Sequence, residues 1–295
     1  MWYVTVGIVL FPGFEELSIP VNGVEIKTVT GGDGPAVLLL HGAPQTHTMW
    51  HKIAPRLAEH YTVVATDLRG YGDSSKPNGG GDHAEYSFRT MAADQVAVMR
   101  SLGHETFRLV AHDRGARVGH RMLLDAPDVV TRAALLDIVP TKYVYDHTDR
   151  ALATAYFHWF FFIQPAPLPE MMIEPVAATM VKGFLGALSG ADFYDAFALA
   201  EYERCFDAAT IHAVCEDYRA AASIDLTHDA EDENRRIECP LLVMWGSRGV
   251  VGKLYDPVVV WSQYASDLSG HAVDAGHFLA EERPEEVLAA LSAFL

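Results

Sequence analysis

The chain has 295 residues, 50% hydrophobic and 21% charged, which suits one large α/β domain with an insertion and excludes a disordered protein. Its formal net charge of −17 excludes a broad basic surface for nucleic acid or for an anionic membrane. Cys205, Cys215 and Cys239 cannot all pair and show no C-x-x-C spacing, which speaks for reduced thiols in a cytoplasmic protein and against a zinc or disulfide framework.

Residues 1–11 are apolar but lack a basic start and run into Pro12-Gly13, so an extension or edge segment is expected there rather than a leader. No apolar stretch approaches the ~20 residues needed to cross a bilayer. Short apolar runs at 36–40, 61–65 and 107–111 read as strands, and helical spacing at 49–57 and 91–102 places Met91, Val96, Met99 and Leu102 on one face. Another strand is expected at 133–138. This βαβ rhythm predicts a mostly parallel central sheet flanked by helices. From Pro140 to Glu231 the strand signal stops, and helical patterns dense in aromatics take over, among them Tyr156, Trp159 and Phe162. Strand patterns resume at 240–245 and 271–273. A last helix opens at Pro284 with Glu285 and Glu286 in its first turn. The expected organisation is an α/β core over 1–139 and 232–295, with a helical cap, 140–231, inserted after the sixth core strand.

Strand 107–111 runs directly into Asp113, and a helix signal follows from Gly115 through Leu124, so Asp113 stands at a sharp strand-to-helix turn, Ala111-His112-Asp113-Arg114-Gly115. This is the nucleophile-elbow context of the α/β-hydrolase fold. A carboxylate in that position attacks an sp3 carbon and forms an ester that must then be hydrolysed. The plainer reading makes Asp113 a helix cap; the partners favour the chemical one. His41-Gly42 follow the first buried strand, where backbone N–H groups complete an anion hole, with Ala43 and Arg114 as the expected donors. His277 follows the last strand and precedes the terminal helix, and its place in the order nucleophile, acid, histidine separates it from the thirteen other histidines. The customary acid position after Trp245-Gly246 reads Ser247-Arg248-Gly249-Val250. Asp137, at the end of strand 133–138, is the natural substitute, with Asp256 the weaker candidate. The loop Arg69-Gly70-Tyr71-Gly72 lacks the third glycine of a dinucleotide fingerprint and reads as structural.

Arg114 and Arg117 put two guanidinium groups beside Asp113, and guanidinium forks match a carboxylate bidentately. Either arginine could instead form a structural salt bridge. Anchoring an anionic substrate explains the pair better and points to a small carboxylate with a leaving group on its α carbon.

These residues resemble the fluoroacetate (haloacetate) dehalogenases of the α/β-hydrolase fold. The resemblance runs from about Phe11 onward and is carried by His112-Asp113-Arg114-Gly115-Ala116-Arg117, Leu136-Asp137-Ile138, His158-Trp159 and Cys215-Glu216-Asp217-Tyr218-Arg219. It implies Asp113 as nucleophile, Asp137 and His277 as the pair that activates water, Arg114 and Arg117 as ligands of the substrate carboxylate, and His158, Trp159 and Tyr218 as holders of the departing halide. Imidazole N–H, indole N–H and phenol O–H groups are donors that can converge on a small anion; the alternative is that these three simply pack an aromatic cap core or a surface helix. Ala43 departs from the resemblance, since an aromatic residue is common there.

The expected activity is hydrolysis of small 2-haloacids to glycolate and halide, with no metal and no organic cofactor. The expected partner is a small anionic haloacid rather than nucleic acid or membrane, and a homodimer stays open as the assembly. Two rivals remain: an epoxide hydrolase of the same fold, with Tyr218 and one of Tyr143, Tyr145 or Tyr156 activating the epoxide oxygen, and a noncatalytic small-ligand receptor.

Overall fold

In the computed structural model, which describes residues 10–186 and 191–295, the strands are β1 (Glu15–Val21), β2 (Val24–Gly31), β3 (Ala36–Leu40), β4 (Thr62–Thr66), β5 (Phe107–His112), β6 (Val130–Leu136), β7 (Leu241–Gly246) and β8 (Leu268–Val273). They make one sheet in the order β1-β2-β4-β3-β5-β6-β7-β8. The six strands from β3 onward run parallel, and β1 and β2 pair antiparallel at one edge. Strand β3 reads as an unbroken apolar run because both its faces are covered. Most of the expected N-terminal extension, residues 1–9, lies outside the described residues.

Strands β1 and β2 are absent from the sequence reading. They alternate buried and exposed positions and are joined by Asn22-Gly23, both at positive φ (47° and 80°), the two-residue hairpin turn that matches strand twist. Between β6 and β7 the described residues form helices, of which Phe157–Phe162 and Ala208–Ala221 matter most for the site. The terminal helix is Pro284–Phe294, with Val287, Leu288 and Leu291 buried.

Chain order reverses at β3: the connection to β4 leaves on one side and that to β5 on the other. The carboxyl ends of β3 and β5 therefore open side by side, at the switch point where α/β sheets place ligands. The helix Asp113–Asp125 begins directly at the end of β5. Its close approach to β3 needs Gly115, whose amide donates to the His41 carbonyl at 2.8 Å and whose added Cβ would come within 2.8 Å of the Leu40 backbone while striking the His41 carbonyl oxygen. Gly115→Ala is expected to lower stability by about 1–3 kcal/mol through this overpacking. Urea denaturation measures it, and a loss below about 0.5 kcal/mol would show that strand and helix are not tightly docked here.

Candidate active site

Asp113 and Asp137 are two of the four described non-glycine residues at positive φ (46° and 54°; the others are Asn22 and His83). Aspartate tolerates this left-handed conformation better than most residues, at a cost of order 1 kcal/mol. The turn lifts each carboxylate off the end of its strand. Asp113 does not cap its helix, which has His112 at the N-cap position without a side-chain cap bond. Instead its Oδ2 accepts from the Ala43 amide at 3.0 Å. Gly42 permits that approach, since a Cβ there would stand 2.8 Å from the same oxygen. The Arg114 amide makes no bond to the Asp113 carboxylate in this structure.

His277 stands across from the nucleophile, its Nε2 4.0 Å from Asp113 Oδ1, while its Nδ1 bonds Asp137 Oδ2 at 2.5 Å. The other oxygen of Asp137 accepts from the Gly246 amide at 2.8 Å. Asp137 thus reaches the end of β7, the very stretch whose sequence carries no acid. Asp256 is engaged elsewhere, capping the helix Pro257–Trp261 through the Val259 amide. Burial opposes charging His277, but the hydrogen bond and charge of Asp137, with Asp113 behind them, raise its pKa above the ordinary 6.5. Burial likewise opposes ionising Asp113, yet His277 and, further off, Arg117 and Arg114 hold it at about 2. Asp113 is therefore a carboxylate at neutral pH.

The two arginines are held differently. Arg114 is fully buried and engaged by Asp217 of helix Ala208–Ala221: Nε donates to Oδ2 at 2.8 Å, and Nη2 bonds both Oδ1 and the main-chain oxygen. The Tyr71 hydroxyl donates to the same carboxylate at 2.5 Å. Only Nη1 of Arg114 is left without a partner among the described residues. Among the described residues Arg117 meets no carboxylate at contact distance and its Nε has no partner; its Nη1 donates to the Val139 carbonyl at 3.1 Å and to Thr141 Oγ1 at 3.0 Å. Each guanidinium also lies against an aromatic face, Arg114 4.3 Å from the Tyr218 centroid and Arg117 4.6 Å from that of Trp159.

A cavity of about 260 Å³ joins these parts, with Asp113, His277, His158, Trp159, Tyr218 and Tyr156 on its wall. The structure thus brings the nucleophile, the histidine and the three expected halide donors to one space, with the arginines behind the Trp159 and Tyr218 rings. Burial lowers the His158 pKa to about 4, so its ring is neutral and offers one N–H. Among the described residues no group of three or more His, Cys, Asp or Glu could hold a metal, and no helix is long and apolar enough to cross a membrane.

Sequence reading assigned no role to Asp217 or His112. His112 is buried and neutral, its pKa lowered to about 3 chiefly by burial, so its Nε2–H donates to the His277 carbonyl at 2.8 Å and ties elbow to histidine loop. Its place next to Asp113 is the one signal that could have flagged it.

The family model for the alpha/beta hydrolase fold matches residues 35–284. The chain is 48% identical over 290 residues, 97% of its own length and 95% of the other, to a curated fluoroacetate dehalogenase from Burkholderia sp. It is 30% identical to a soluble epoxide hydrolase from Corynebacterium sp. (strain C12), over 91% of this chain and 92% of that one. A solved structure from Nostoc sp PCC 7120, provisionally described as an alpha/beta hydrolase, superposes with a TM-score of 0.94 at 52% identity, covering 95% of this chain and 97% of that one.

Asp217→Asn would leave the Arg114 charge buried without its counter-ion. The expected loss is about 3–5 kcal/mol of unfolding free energy, read by urea denaturation. A loss under about 1 kcal/mol would mean that the guanidinium finds water or another acceptor.

Proposed function

The chain belongs to the fluoroacetate dehalogenase family of the α/β-hydrolase fold, and from that premise we propose that it converts small 2-haloacids, fluoroacetate and chloroacetate among them, to glycolate and halide through an ester on Asp113. It is a hydrolase of carbon–halide bonds. The observation that carries the mechanism is the asymmetry of the Asp113 carboxylate: Oδ2 is bonded to the Ala43 amide, while Oδ1 faces His277 Nε2 across 4.0 Å.

In this reading Arg117 and Nη1 of Arg114 hold the substrate carboxylate. Oδ1 attacks C2 from the side opposite the halogen, and the C–X electron pair leaves with the halide. The Tyr218 O–H, the Trp159 N–H and the His158 N–H receive that anion, replacing the water a free fluoride would hold. The guanidiniums on the faces of Tyr218 and Trp159 make the donors at the ring edges stronger. Oδ2 becomes the ester carbonyl oxygen, and when water adds to Cγ the charge grows on that atom, where the Ala43 amide already donates and the Arg114 amide can join.

Esterification also changes the histidine. Ionised Asp113 is one of the charges that raise the His277 pKa. Once that charge is consumed, the imidazolium gives up its proton more readily and becomes the base that the water needs. Asp137 keeps the ring oriented and bears the charge that develops on it.

A single turnover in ¹⁸O-labelled water should leave the label in Asp113 and release unlabelled glycolate; labelled glycolate in that first turnover would mean direct attack by water. The base form of His277 is required for ester hydrolysis, and in the ester Asp137 still raises its pKa although the Asp113 charge is gone, so kcat should fall as pH drops through a value below that of the resting enzyme. Asp137→Asn removes the principal raising partner. It should move this acid limb to lower pH and reduce kcat by about 10²–10⁴. An unmoved limb in the variant would remove Asp137 from the proposed role.

A further inference from the structure

Dehalogenation leaves the Tyr156 hydroxyl without a task. Tyr156 and Tyr218 both stand on the wall of the cavity that holds Asp113 and His277. They flank Trp159, Tyr156 parallel to it (7°, 5.6 Å between centroids) and Tyr218 edge-on (77°, 6.0 Å). The other two tyrosines of the segment are differently placed. The Tyr145 hydroxyl is sealed in without a partner among the described residues, and Tyr143 is stacked on His147 at 4.0 Å. Burial raises the pKa of both Tyr156 and Tyr218, with the Asp113 charge acting in the same direction. Both therefore enter a reaction as phenols carrying a proton.

A departing halide accepts hydrogen bonds and needs no proton. A departing alkoxide does need one, and a phenol in contact with it can supply it. A pair of phenols over an aspartate nucleophile therefore offers more than carbon–halogen cleavage uses. A neutral epoxide would leave the buried Arg117 charge unanswered, whereas an epoxide bearing its own carboxylate would answer it. We propose that this site also hydrolyses 2,3-epoxy carboxylates, the smallest being oxirane-2-carboxylate (glycidate), with the Tyr156 and Tyr218 hydroxyls at the epoxide oxygen; this rests on the nucleophile and anchor roles proposed above. Glycidate has its carboxylate and its leaving oxygen on the same carbon, as a haloacetate has its carboxylate and halogen. Its six heavy atoms, roughly the volume of three waters or ~90 Å³, fit a cavity of about 260 Å³.

The step balances without a co-reactant other than water. Asp113 Oδ1 bonds to C2, the C2–O bond breaks, and its electron pair stays on the oxygen, which remains attached to C3 and takes the proton of Tyr218 or Tyr156. Water deprotonated by His277 then attacks Cγ of the ester. Glycerate leaves with the Asp113 oxygen on an inverted C2, that oxygen taking the second proton of the water from the hydroxyl on Cγ as Asp113 returns to a carboxylate, and the phenolate recovers its proton from the His277 imidazolium.

The test gives the full-length enzyme glycidate, its neutral amide glycidamide, and chloroacetate in parallel, following glycerate (or glyceramide) and chloride. Glycerate should form, and Asp113→Asn should abolish it. Glycidamide should be turned over about 100-fold less efficiently, because it lacks the anion the arginines bind. Tyr156→Phe should lower kcat/KM for glycidate at least about tenfold more than for chloroacetate. If chloride is released while glycidate only inhibits, or labels Asp113 without yielding glycerate, the epoxide proposal falls alone. If neither substrate is turned over, the dehalogenase reading falls with it. Equal turnover of glycidamide, or equal effects of Tyr156→Phe on both substrates, overturns the proposal in the form given.

Discussion

A buried carboxylate must stay ionised, unpaired and aimed if it is to attack carbon, and the rest of the site follows from that constraint. Desolvation alone would protonate Asp113. Cations are needed near it, yet a cation in direct contact would tie up its lone pairs. The structure separates field from contact by giving each neighbouring cation a different partner. His277 is bound to Asp137, Arg114 to Asp217, and Arg117 to a carbonyl and a hydroxyl. All act on Asp113 through space, and the ordinary partner it does have, the Ala43 amide, takes only one of its oxygens.

That arrangement makes the helical segment between β6 and β7 part of the wall and of the charge balance of the site. Helix Ala208–Ala221 supplies Asp217, which holds Arg114, and the next residue, Tyr218, lies over the same guanidinium while facing the cavity. The helix is tied to the loop after β4 through Glu216 with His83 at 2.7 Å and His212 with the Asn78 carbonyl at 2.9 Å. On the far side Lys52 bridges the Phe193 and Glu281 carbonyls at 2.5 and 2.9 Å. Displacing this segment would therefore disturb Arg114 and Tyr218 together.

Much of this was legible in the sequence where the relevant residues are neighbours in the chain. The elbow is five consecutive residues whose strand, turn and helix signals agree, so Asp113 could be read directly. Asp137 was reachable by elimination, because an expected acid was missing after Gly246 and only one carboxylate ended an adjacent strand. The hairpin at Asn22-Gly23 carried a strong local signal in its turn residues and was passed over. The pairing of Arg114 with Asp217 had no such signal, since the ion pair spans 103 residues and depends on how a helix from one segment lies on a turn from another. For the same reason neighbouring arginines looked equivalent in the sequence, although the fold treats them unequally.

That inequality bears on how a chain with a net charge of −17 can hold an anion at all. Asp217 neutralises Arg114 and raises its pKa against the effect of burial. Arg117, buried without a carboxylate in contact, has its pKa lowered by that burial, with Asp113 only partly offsetting the penalty. An unpaired buried cation is costly, and in the proposed function a substrate carboxylate would remove part of that cost on arrival. Electrostatic attraction in this site therefore resides chiefly in Arg117, while Arg114 contributes a directed N–H from Nη1, its charge already spent on Asp217. The overall field of the protein repels anions, but its long-range part is screened within about 8–10 Å by salt. In the proposed function the attraction for a small anion therefore rests on the local charge of Arg117, held against the Trp159 ring.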